Sequence, residues 1–205
     1  MIGMNQCRVQ VIFFDFGGVI AEEGYRNGLY AIAEENGLDP KDFAYIARAL
    51  LHTTGYILGK SDEAFYWQAL RKQTGIRGSD QQFRQHILKR FILRDWMMDL
   101  IDDLRPNVRL AVLSDQTNWL DELDVQYGLF RHFEHIFNSF HMRKSKHDAS
   151  LFDDVLSIMH VESDQALFVD DTLGHVQRAR GRGLYAIHFT DRNTFIEQLR
   201  NYCSF

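Results

Sequence analysis

Four apolar runs punctuate the chain: Val9 to Phe14, Val108 to Leu113, Gln165 to Val169 and Leu184 to Phe189. Each is short, nearly continuous and apolar enough for a strand buried on both faces. His135 to Asn138 is a shorter, fifth candidate. Between these runs the apolar period changes. Met97, Leu100, Ile101 and Leu104 fall at i, i+3, i+4 and i+7, as do Phe152, Val155, Leu156 and Met159. That spacing predicts amphipathic helices. Val176 and Ala179 mark another, with Gly181 or Gly183 as its C-terminal cap. Strands alternating with helices predict an α/β fold, a Rossmann-like parallel sheet flanked by helices.

The stretch from about Gly24 to Arg94 breaks this rhythm and holds no convincing strand. Asp39-Pro40 reads as an N-cap followed by proline in the first helical turn. Ser61-Asp62-Glu63 reads as a second helix start, with Tyr66, Ala69 and Leu70 as an apolar face and Gly75 as its end. A small helical bundle inserted after the first strand is expected, over residues 23–94, with 1–22 and 95–205 forming the discontinuous core. Its many aromatics, Tyr66 and Trp67 among them, are expected to fill the bundle's own interior rather than to cage a ligand.

At 205 residues the chain can bury a substantial core. A formal charge of −5 gives no support for a nucleic-acid or membrane-surface partner, and neither is expected. No apolar stretch approaches the ~18 residues of a membrane span. Met1 to Arg8 lacks the apolar core of a secretory signal. Cys7 and Cys203 are the only cysteines, so no disulfide framework is indicated and a reducing cytoplasm is the expected location.

The chemistry concentrates where the apolar runs stop. The first ends at Asp15 and opens into Gly17-Gly18; the second ends at Ser114; the run from Gln165 ends at Asp170-Asp171, and Lys146 lies in the loop before it. In parallel sheets, ligands bind at the C-terminal strand edge. One carboxylate nucleophile, a hydroxyl, an ammonium and an acidic pair there suit a phosphoryl group. The acids hold Mg²⁺, the lysine offsets phosphoryl charge, and Asp15 attacks phosphorus.

These residues resemble the haloacid dehalogenase superfamily, specifically phosphatase-like members with a helical cap after the first motif. Phe13 to Ile20 is similar to the family's first motif, Leu113-Ser114-Asp115 to the second, Ser139 to Phe152 to the third and Phe168 to Thr172 to the fourth. The resemblance implies Asp15 and Lys146 as catalytic residues, and Ser114, Asp115 and Lys146 as the phosphate-binding set. It implies Asp15, Gly17, Asp170 and Asp171 as Mg²⁺ ligands, and a small phosphorylated molecule as substrate. Lys144 is the second choice for the lysine. Both prolines of the third motif are replaced, and His175 stands where many relatives carry Asn.

The main departure is Gly17. Phosphatases of the superfamily commonly place there a second Asp that protonates the leaving oxygen, a contribution of ~10²–10⁴-fold. A good leaving group, an acid from the cap, or His175 would compensate. Two alternatives stay open: a 2-haloacid dehalogenase using Asp15 on carbon, and a binding or regulatory protein on the same fold.

Overall fold

The computed structural model describes residues 7–205. The first six positions of the expected 1–22 core segment, and most of the stretch read for a secretory signal, lie outside them. Strands β1 (Val11–Phe14), β2 (Arg109–Ser114), β3 (His135–Asn138), β4 (Ala166–Asp170) and β5 (Tyr185–His188) form one parallel sheet in the order β3-β2-β1-β4-β5. The apolar runs begin one or two residues ahead of these strands, and two of them stop one residue short, since β2 takes in Ser114 and β4 takes in Asp170.

Residues alternate between the faces of β1. Ile12 and Phe14 join one buried cluster, and Val11 and Phe13 join the other. The Val11 face is covered by α8 (Ser150–Met159) and α9 (Leu173–Gly181), through Phe152, Val155 and Val176. The opposite face is covered by α5 (Asp95–Leu104), α6 (Trp119–Tyr127) and α10 (Arg192–Leu199). All four predicted positions on α5 are buried: Met97, Leu100, Ile101 and Leu104. A short helix, α7 (Ser139–Met142), follows β3.

Four helices stand between β1 and α5: α1 (Gly24–Glu35), α2 (Pro40–Thr53), α3 (Glu63–Thr74) and α4 (Asp80–Leu88). Their ends follow local chemistry. Asp39 accepts the N–H groups of Lys41 and Asp42, Asp62 accepts that of Phe65, and Gly75 closes α3 at φ 74°. Gly28 lets α1 reach α4: a Cβ there would stand 2.6 Å from Ile87 Cα. Chain departure and return run side by side. Glu22 N–H donates to Ile92 O at 2.9 Å, Arg94 N–H donates to Ile20 O at 3.0 Å, and the Arg94 guanidinium grips Glu22. The buried aromatics Tyr56, Tyr66 and Trp67 do not close an interior alone. Trp119 of α6 stacks on Trp67 at 5.9 Å and donates to Glu63 of α3.

One expectation is overturned. Cys7 and Cys203 form a disulfide. They lie 196 positions apart, a separation that carries no pairing signal. The pairing is made by the fold: Arg8 N–H donates to Tyr202 O at 2.6 Å, laying the approach to β1 beside the turn after α10. Among the described residues no helix is long and apolar enough to cross a membrane.

Candidate active site

The strand order reverses at β1, whose neighbours β2 and β4 belong to opposite halves of the sheet. A crevice opens at such a switch point, beyond the C-terminal strand ends. The register aligns what borders it. Phe14 pairs with Val112 on one side and Val169 on the other, so Asp15, Ser114 and Asp170 emerge together.

Asp15 is 7% exposed and held from three directions. Its Oδ1 accepts Ser114 Oγ–H at 2.6 Å and the Phe16 N–H at 2.7 Å, and its Oδ2 lies 2.8 Å from Lys146 Nζ. Ser114 therefore does not cap the helix after β2; its hydroxyl is committed to Asp15. Lys146 Nζ also meets Asp170 Oδ2 at 2.6 Å. Lys144 turns outward to Asp154 and Ser150, away from this group. Asp115 fixes the lysine loop, since its Oδ1 accepts the Lys146 N–H at 2.9 Å.

Asp15, Asp170 and Asp171 each bring an oxygen within 4.8 Å of the others. Gly18 makes room for them. Its φ is +83°, and a Cβ there would lie 2.3 Å from Asp171 Oδ2. Three carboxylates against one ammonium leave two negative charges, the amount a divalent cation offsets. The electrostatics register the imbalance. Burial pushes the Asp15 carboxyl well above its usual value; Lys146 opposes that push, while Asp170 and Asp171 add to it. Burial acts the same way on Asp170, but Lys146 and His175 outweigh it and hold that carboxyl below the usual range. For Lys146, burial disfavours the charge, and Asp15 and Asp170 overcome it. The donor set is all oxygen, which fits Mg²⁺.

A cavity of about 370 Å³ lies over this group. Asp15, Gly17, Lys146 and Asp171 line its sheet side, and Tyr25 and Arg48 its helical side. Further residues also reach it, of which the sequence had marked only His175. Glu23, the N-cap of α1, brings Oε1 to 4.0 Å from where a Cβ on Gly17 would stand. His52 of α2, His147 and His175 form a row of rings, with His147 5.2 Å from His52 and 5.4 Å from His175, both edge-on. Partial burial lowers the basicity of His52 and His147, outweighing the opposing pull of Asp115 on both. Their irregular sequence spacing gave no warning, because they sit on separate elements. Ser139 ties the helical side to the sheet, its hydroxyl lying 2.9 Å from Ile57 O and 3.1 Å from Gln116 O, with one proton shared between the two acceptors.

A family model for haloacid dehalogenase-like hydrolases matches residues 9–181. No curated protein matches the chain. Among solved structures it is similar to a haloacid dehalogenase-like hydrolase from Porphyromonas gingivalis, at 24% identity and TM-score 0.73, over 95% of this chain and 97% of that one. It is similar to a family enzyme from Bacteroides thetaiotaomicron in complex with magnesium and inorganic phosphate, at 17% identity and TM-score 0.67, over 91% and 98%. It is also similar to the L-2-haloacid dehalogenase of Xanthobacter autotrophicus with chloropropionic acid covalently bound, at 14% identity and TM-score 0.66, over 94% and 83%. At these identities the likeness is one of fold.

Proposed function

Because the chain belongs to the haloacid dehalogenase-like hydrolases, we propose that it is a Mg²⁺-dependent phosphatase of a small phosphorylated metabolite. The observation that carries this reading is the convergence of Asp15, Asp170 and Asp171, the first two of them paired with Lys146. Attack on carbon by a lone carboxylate needs no cation, so two further acids beside it would only repel it. With a divalent ion they become ligands. The relative from Bacteroides, solved with magnesium and inorganic phosphate, supports the same reading.

In this reading Asp170, Asp171, Asp15 and the Gly17 carbonyl would hold Mg²⁺, which would offset charge on the phosphoryl oxygens. Asp15 attacks phosphorus in line and forms an aspartyl phosphate, which water then cleaves. Ser114 holds Oδ1 of Asp15 so that Oδ2 faces the cavity, and Lys146 neutralises the transferring group. Asp115 serves the phosphate-binding set with its backbone N–H, while its carboxylate, which would repel a phosphate oxygen, holds the Lys146 loop. Glu23 is the nearest carboxyl to the side chain that Gly17 lacks, and it protonates the leaving oxygen. Residues 23–94 act as a cap over 1–22 and 95–205, hinged on the paired segments at Glu22 and Arg94. A cavity of about 370 Å³ suits a small metabolite.

The test is a panel of phosphate monoesters assayed with Mg²⁺ and with chelator, alongside chloride release from 2-chloropropionate. Ester hydrolysis that stops on chelation is expected. Chloride release indifferent to chelator would instead make the protein a dehalogenase. No turnover of any ester by folded protein would leave a binding protein on this fold.

A further inference from the structure

Beside the acidic cluster stands a group of different chemistry. Asp115, His147 and His175 each place a ligand atom at most 4.8 Å from the others. They arrive from three connections on one sheet edge: the loop after β2, the loop after α7, and the first turn of α9.

Two of the three are already oriented by neighbours. His175 Nδ1 lies 3.2 Å from Asp170 Oδ2. Asp170 stands behind Nδ1 and orients the ring, which leaves Nε2 as the nitrogen open to another partner. Asp115 Oδ1 accepts the Lys146 N–H at 2.9 Å, which leaves Oδ2 for a second partner. A carboxylate behind the imidazole and a hydrogen bond on the carboxylate are the outer contacts that metal ligands characteristically receive. His147 is exposed and has room to turn.

We propose that Asp115, His147 and His175 form a second metal site, separate from the acidic cluster and selective for a borderline transition-metal cation, Zn²⁺ foremost. Two imidazoles and one carboxylate are the donor set Zn²⁺ takes in sites with an open fourth position. Mg²⁺ prefers oxygen and goes to Asp15, Asp170 and Asp171. Tetrahedral zinc–nitrogen bonds set ligand atoms roughly 3.4 Å apart, so binding draws His147 inward from a spacing of up to 4.8 Å. The fourth position opens to the cavity that His147 and His175 line. The His52 ring, 5.2 Å from that of His147, borders the same space. The two sites therefore sort cations by ligand softness across one crevice.

The experiment is calorimetric titration of Zn²⁺ into tag-free, full-chain protein saturated with Mg²⁺. One Zn²⁺ per chain is expected with Mg²⁺ retained, and a parallel Co²⁺ titration should give the visible absorption of a four-coordinate ion. His147→Ala should weaken Zn²⁺ by more than the ~10–100-fold typical of a lost outer contact. Imidazole ¹⁵N shifts on His147 and His175 in the unmodified protein should move on Zn²⁺ addition. Displacement of Mg²⁺ by Zn²⁺, binding that survives His147→Ala but not Asp171→Asn, or unmoved imidazole signals would overturn the proposal. Each readout is of binding, so its failure leaves the phosphatase reading standing.

Discussion

The sheet edge and the helical unit facing it are built on opposite terms. At the sheet edge the polar groups are buried and mutually engaged: Lys146 and Ser114 are each 1% exposed and Asp170 is fully covered. Every one of them has a named partner within 2.8 Å. The helical unit has an aromatic interior and presents to the cavity Arg48 and His52, both exposed. The candidate site's polar groups sit on strand ends whose positions the ladder dictates, while the facing wall of the cavity sits on helices joined by two short paired segments. The first is preorganised; the second is free to differ without disturbing it.

The sharpest way to separate the two regions is Asp15→Asn. Loss of the nucleophile should lower ester hydrolysis by ~10⁴–10⁶-fold, with the far-ultraviolet circular dichroism unchanged. An active Asp15→Asn protein would break the comparison at its root. Trp67→Ala acts on the other side. Tyr66, Phe83 and Trp119 all touch that ring, so urea denaturation should show a loss of about 3–5 kcal/mol, while hydrolysis at saturating substrate changes little in the fraction still folded. Glu23→Gln tests the junction between the regions. Alkyl phosphates should slow ~10²-fold, and aryl phosphates with good leaving groups should barely change. An equal loss on both would mean that Glu23 positions the substrate rather than supplying a proton.

The core was legible because burial and period coincide. Wholly apolar runs ending in Asp15, Ser114 and Asp170 announced the strands and the candidate site, and parallel topology brought those residues together. Lys146 was separable from Lys144 only by its spacing to Leu151-Phe152; the structure shows why the choice matters, since Lys144 faces solvent with Asp154. Trp119 escaped notice as part of the helical unit's interior because it belongs to a helix of the other half. Glu23 carries no local signal, and its approach to Gly17 exists only once α1 is placed. His52, His147 and His175 share no period, so only three-dimensional closure gathers them. Cys7 and Cys203 were invisible for the same reason.

That disulfide makes the described chain mechanically a ring. Tension applied from outside at Cys7 and Cys203 would pass through their bond and bypass the sheet, leaving β1, β2 and β4 unloaded. Only after reduction would the load reach β1, and the released slack would be about 650–700 Å of fully extended chain over the 196-residue separation.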